Sequence, residues 1–153
     1  MIKVFVKTVE KRELDFLLKL EGLEITPKLL KYEINNTEEN SYDVYIEEYP
    51  WTLSQYADIP EIFNKYHEKI KDLITKLHDL NIYHGDLTFD NIVIDIDNDK
   101  VRLIDFGESL YFHEINDNYI TKVIKNLQTE ETCKTFDDII DAEFTLYKRC
   151  VEI

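Results

Sequence analysis

The sequence predicts an α+β fold, and three observations predict it. Between residues 63 and 77, Phe63, Tyr66, Ile70, Leu73, Ile74 and Leu77 recur at three- and four-residue spacing, which marks an amphipathic helix with one apolar stripe turned to a core. Ile92-Val93-Ile94 and Val101-Arg102-Leu103-Ile104 are short apolar runs separated by the turn-forming Asp97-Asn98-Asp99, so they read as a hairpin. Composition allows the core: 44% of the 153 residues are hydrophobic, 10 Tyr and 8 Phe are present, and three prolines are too few for a long linker.

The remaining elements follow in order. Residues 25–34 and Tyr42–Tyr49 suggest two further strands around an Asn/Glu-rich loop at 35–41. Residues 108–118 look like a loop and Tyr119–Leu127 a short helix. Thr135–Cys150 reads as a longer helix, with Phe136, Ile139, Ile140, Phe144 and Tyr147 at helical spacing and Thr135 as its N-cap; it is expected to pack under the loop at 84–91. No repeat or low-complexity tract breaks the chain, so one domain is expected over 1–153.

Charge narrows the partners. A net charge of −14 disfavours nucleic acid, whose binding needs Lys and Arg against phosphates, and makes binding of a polyphosphate without metal unfavourable. No apolar run is long enough to cross a bilayer and no signal-peptide core is present at the N-terminus, so a cytosolic or nuclear protein with no membrane partner is expected. Met1 is compatible with a natural start. Cys133 and Cys150 read as ordinary thiols. Asp95–Asp99 imitates a calcium loop, but Lys100 replaces the needed glycine and Phe106 the final glutamate, leaving a turn with solvated acids. His67, His78 and His113 form no constellation, and Trp51 reads as a core or cleft-lip aromatic.

Two of the three glycines lie in His84-Gly85-Asp86-Leu87-Thr88-Phe89-Asp90-Asn91 and Asp105-Phe106-Gly107. The first segment resembles the catalytic loop of protein kinases, with Asp and Asn five residues apart, and the second is their Asp-Phe-Gly. Helix, loop, hairpin and Asp-Phe-Gly come in the family's order. His-Gly-Asp-Leu-Thr is most similar to the small atypical kinases, of KEOPS-complex and RIO type and more distantly the aminoglycoside phosphotransferases, and the resemblance covers roughly residues 1 to 110.

The resemblance implies a two-lobed fold with a reduced N-lobe of few strands and one helix (1–48) and a reduced helical C-lobe (49–153). It implies ATP and Mg²⁺, with Asp86 as catalytic base and Asn91 and Asp105 as the oxygen donors that a hard cation prefers. It makes Ile2-Lys3-Val4-Phe5-Val6 the strand whose Lys3 pairs with phosphates and Lys11-Arg12-Glu13-Leu14-Asp15-Phe16-Leu17-Leu18 the helix whose Glu13 pairs with that lysine. Lys7 is a rival, set aside because only five residues separate it from Glu13. Glu47-Glu48-Tyr49-Pro50 resembles the hinge that binds adenine, so Glu47 and Tyr49 join the nucleotide site. His84 is expected to be a structural histidine packed under the Asp-Phe-Gly.

Departures from the family are informative. There is no glycine-rich loop, and with Lys3 as the phosphate lysine no chain precedes it to cover ATP. Gly85 replaces the arginine that pairs with a phosphorylated activation loop, so regulation of that kind is not expected. Thr88 replaces a catalytic-loop lysine, and no Ala-Pro-Glu follows Gly107. The expected activity is an atypical serine/threonine protein kinase or ATPase acting on a protein substrate or with a partner subunit. The alternative is a pseudokinase or ATP-binding subunit that works through its partner, with a small-molecule phosphotransferase a weaker third reading.

Overall fold

The computed structural model describes residues 3–56, 58–119 and 143. The helices expected at Tyr119–Leu127 and Thr135–Cys150, and both cysteines, lie outside the described residues apart from Tyr119 and Glu143.

Strand β1 (Val4–Glu10) runs straight into helix α1 (Lys11–Leu20). The junction is the single extended residue Glu10 (φ −74°, ψ 161°), so no turn intervenes. β2 (Leu29–Ile34) and β3 (Ser41–Glu47) complete a three-stranded antiparallel sheet in the order β1-β3-β2. Its register sets Phe5, Lys7 and Val9 opposite Ile46, Val44 and Tyr42. Because successive side chains alternate faces, these six share one side of the sheet. α1 buries Leu14, Phe16, Leu17 and Leu20 together with Glu13.

The second half begins with β4 (Trp51–Thr52), followed by a 3₁₀ turn at Leu53–Tyr56 and helix α2 (Pro60–Asp79). Pro60 suits the first turn of α2, where its missing N–H costs nothing. Tyr66, Ile70, Leu73, Ile74 and Leu77 are buried as the spacing predicts. After α2, Asn81 takes a left-handed φ of 61°, which Asn tolerates, and turns the chain into β5 (Ile82–Tyr83).

The expected hairpin forms as β6 (Ile92–Asp95) and β7 (Lys100–Leu103), with β4 added on the β6 side. Its tip closes on itself: the Asp95 carboxylate accepts the Asn98 amide at 2.6 Å, and Lys69 of α2 donates to the carboxylate and carbonyl of Asp99 at 2.7 and 2.9 Å. The segment 108–118 differs from the expected loop. It carries β8 (Leu110–Tyr111), paired with β5, and a 3₁₀ turn at Phe112–Glu114. A two-residue strand exists only because a partner edge is presented to it, and no local pattern announces that.

One apolar cluster joins both halves, from Leu14, Phe16, Leu17 and Val44 above to Tyr66, Ile74, Leu77, Leu103 and Phe106 below. This is the reduced two-lobed α+β fold, with the site at the seam. Leu77 is fully buried at the end of α2 that feeds the loop at 84–91. Leu77→Ala is expected to destabilise by about 2–5 kcal/mol, read as a lower urea midpoint with little change in slope.

Candidate active site

The seam holds a cavity of about 330 Å³ whose walls include Lys7, Glu13, Ile46, Glu47, Tyr49, Asn91, Val93, Leu103 and Asp105. Five of the seven residues expected at a nucleotide site, Glu13, Glu47, Tyr49, Asn91 and Asp105, therefore face one space. Asp86 stands beside it, bonded to Asn91. Lys3 does not join them.

The lysine assignment is corrected by the geometry. Lys7, not Lys3, donates to Glu13 Oε2 at 3.0 Å and to Asp105 Oδ1 at 3.4 Å. The objection to Lys7 assumed a turn between strand and helix, whereas β1 continues into α1 through Glu10 alone, and Glu13 arrives in the first helical turn directly above Lys7. Lys3 is exposed at the far end; its carbonyl accepts the Glu48 N–H at 2.8 Å and its side chain borders a second, polar cavity beside Trp51, Asp95 and Lys100. Strand parity could not have separated the two, because Lys3 and Lys7 lie on the same face.

Burial works against the charge on Lys7, but hydrogen bonding and attraction to Glu13 and then Asp105 outweigh it and leave the ammonium above its ordinary 10.5. A raised lysine stabilises fully below 10.5 and loses that contribution only as pH rises through its folded value. The Lys7 link is therefore intact throughout the neutral range. Gly107 leaves room for it: a Cβ there would stand 3.3 Å from Glu13 Oε1.

The loop at 84–91 is held from three sides. The His84 ring is fully buried, donates from Nε2 to the Ile104 carbonyl at 2.8 Å, accepts the Asp86 N–H at Nδ1 at 3.1 Å, and lies 4.7 Å from the Phe106 ring. That is the structural histidine the sequence implied. Asn91 donates its amide to the Asp86 carbonyl at 2.7 Å and to Asp86 Oδ2 at 3.1 Å. With its nitrogen so committed, Asn91 offers its side-chain oxygen as the remaining donor. Asp105 adopts φ 64°, a left-handed conformation that aspartate tolerates better than most residues.

The third support was not legible in the sequence. Glu143 is fully buried and its carboxylate accepts the backbone N–H groups of His84 (3.0 Å) and Gly85 (2.8 Å), with His78 Nε2 at 2.8 Å. It lies 58 residues beyond Gly85, and an acid within an expected amphipathic helix carries no signal of that duty. Gly85 itself is at φ 91°, and a Cβ there would stand 2.3 Å from the Glu108 carbonyl oxygen. No side chain fits in that space, whatever its charge.

Among the described residues no three His, Cys, Asp or Glu side chains gather to hold a metal by themselves. The hard oxygens of Asp105 and Asn91 fit Mg²⁺ instead, since that ion usually takes one or two protein groups and completes its shell with phosphates and water. At the hinge, the Glu47 and Glu48 amides are spent on the Lys28 and Lys3 carbonyls. Apolar walls from Ile46, Val93 and Leu103 suit a flat ring.

Residues 28–114, more than half of the chain, match the model of a family described as lipopolysaccharide core biosynthesis protein (WaaY). The chain belongs to the WaaY family. The match includes Asp86, Asn91 and Asp105 and begins after Lys7 and Glu13. Similarity over 96% of this chain is found to the EKC/KEOPS complex subunit BUD32 of Enterocytozoon bieneusi, 28% identical and covered over 77% of its length. Serine/threonine-protein kinase 1 of African swine fever virus (isolate Tick/Malawi) is 26% identical over 76% of this chain and 42% of its own length. The probable serine/threonine-protein kinase fnkB of Dictyostelium discoideum is 38% identical over 74 residues, 44% of this chain and 14% of its own. The WaaY-family chain thus spans less than half the length of these two serine/threonine kinases. At the level of family it is an atypical, kinase-like phosphotransferase.

Three substitutions check this geometry. Lys7→Met is expected to abolish MgATP binding in calorimetric titration while Lys3→Met binds at the native level; the reverse result would restore Lys3. Glu143→Gln, which sets an amide against backbone donors, is expected to cost about 1.5–3 kcal/mol in denaturant unfolding.

Proposed function

We propose that this protein is an ATP-dependent phosphotransferase in which Asp86 is the catalytic base. The observation that carries the reading is the Lys7 ammonium set between Glu13 and Asp105. In kinases the lysine–glutamate pair and the aspartate of Asp-Phe-Gly must both be in place for transfer. Lys7 binds phosphate oxygens and Glu13 holds Lys7 in position. Asn91 and Asp105 would hold Mg²⁺, which would supply positive charge against the phosphates. Asp86, fixed by the Asn91 amide, accepts the proton of an attacking hydroxyl. Ile46, Val93 and Leu103 would receive the adenine, with the backbone at Glu47–Tyr49 as the hinge. The acceptor is a hydroxyl: a serine or threonine is favoured by the relatives named as serine/threonine kinases, a saccharide by the family's description in lipopolysaccharide core biosynthesis, and water would make the protein an ATPase.

A second reading has its own support. β1 is an outer strand of its sheet, and Val4, Phe5 and Val6 are about half exposed, so the described residues place little cover over the phosphate end of the cavity. A relative is named as a subunit of a complex. On this reading the protein binds nucleotide and acts through, or transfers only with, a partner subunit.

The deciting experiment is titration of MgATP into the native protein, Asp105→Ala and Asp86→Asn, with phosphate release followed in the same samples. On the enzyme reading the native protein binds and turns over, and at a hundredfold excess over Kd its stability rises by about 2.7 kcal/mol. Asp105→Ala loses metal-dependent binding. Asp86→Asn keeps binding but turns over about 10²–10⁴-fold more slowly. Native turnover in Asp86→Asn removes the proposed base, and binding without release by the native protein favours the partner-dependent reading.

A further inference from the structure

The first turn of α1 makes two connections. Glu13 reaches Lys7, and its neighbour Arg12 reaches the segment that follows Asp-Phe-Gly. Arg12 donates from Nε and Nη2 to the Ser109 carbonyl at 3.3 and 3.2 Å and from Nη2 to Glu114 Oε1 at 2.5 Å. The same Glu114 oxygen accepts the Tyr111 N–H at 2.8 Å and so closes the 3₁₀ turn that presents it. Ser109 is tied to the site at its other end, for its buried hydroxyl donates to the His84 carbonyl at 2.6 Å and its N–H to the Phe106 carbonyl at 3.1 Å. Three residues at helical spacing extend the contact. Arg12 lies over the Phe16 ring at 5.3 Å, Phe16 packs on Tyr111 at 5.0 Å, and Lys19 lies over Tyr111 at 4.6 Å.

The placement of α1 is what decides whether Glu13 meets Lys7. We propose that Arg12 and Glu114 are positioning residues: their ion pair, anchored on the Ser109 carbonyl, clamps α1 to the segment after Asp-Phe-Gly and thereby holds Glu13 on Lys7. In kinases that setting is commonly controlled by a phosphate added to the activation segment and bound by cations. Here both charges are encoded, one on α1 and one on the segment, and the loop position that elsewhere carries arginine is Gly85, where no side chain fits. The planar fork of arginine matters, because one guanidinium must serve a carbonyl and a carboxylate together. As a contribution to stability the pair is minor, since the Arg12 side chain is 44% exposed. Its effect is on where the helix sits.

The inference rests on the phosphotransferase reading for its catalytic consequence but not for its structural one, and the test separates them. The native protein, Arg12→Lys, Glu114→Gln and the double variant are compared by the NOE between the Lys7 and Glu13 side chains in ¹³C,¹⁵N-labelled protein, with the Lys7 signals assigned by their loss in Lys7→Arg, and by MgATP affinity and turnover. Each single variant is expected to weaken that NOE severalfold, because Glu13 withdraws, and to lower kcat/KM roughly tenfold. The double variant should be no worse than either single one, since both break one link. An NOE and a MgATP affinity unmoved in Glu114→Gln and Arg12→Lys, whatever happens to stability, overturn the clamp. A native protein that neither binds MgATP nor releases phosphate overturns the phosphotransferase reading instead, and the NOE still decides the clamp.

Discussion

The Lys7 ammonium, held between Glu13 and Asp105, is the interaction on which the rest of the site depends. It joins β1, α1 and the Asp-Phe-Gly, three pieces drawn from the two halves of the chain. Taking a lysine out of water is unfavourable, and only the two carboxylates make it tolerable here. Such a pair is weak evidence of stability, because desolvation cancels much of the attraction. Its worth is geometric: it sets a cation and an acid at fixed places on a cavity wall. The hydrophobic cluster beneath supplies the stability that this arrangement does not.

Around that link the site is built by backbone satisfaction more than by side-chain chemistry. Glu143 accepts two N–H groups of the loop at 84–91, His84 accepts a third and donates its own N–H to the Ile104 carbonyl, and Ser109 donates its hydroxyl to the His84 carbonyl. Each of these replaces water that a sharply bent, buried loop cannot reach. The loop is thus hydrogen-bonded in place without any ligand, and Asp86 is presented by it and by the Asn91 amide. Preorganisation of this sort is what phosphoryl transfer asks of a protein, since placement and charge do most of the work.

Much of this was legible in the residues. The apolar stripe of α2 and the hairpin of β6 and β7 follow from periodicity, because each pattern reports the face that one element turns to the core. Asp86, Asn91, Asp105 and the structural role of His84 came from short motifs whose members are close in sequence. What escaped were links between distant residues. The choice of Lys7 over Lys3 turned on whether the chain bends after β1, and β8 depended on the edge that β5 presents. Glu143 was invisible because its partners are backbone amides, which every residue possesses.

The sequence by itself determined the α+β class, the order of the main helices and strands though not β4, β5 and β8, and the acidic and amide groups of the loop at 84–91, because those are set by local periodicity and by residue types in fixed short spacings. Only the tertiary structure decided which lysine meets Glu13, which acid caps the loop, and that Arg12 meets Glu114, because each is a meeting of side chains whose distance is fixed by how α1 and the segment after Asp-Phe-Gly pack on one shared core.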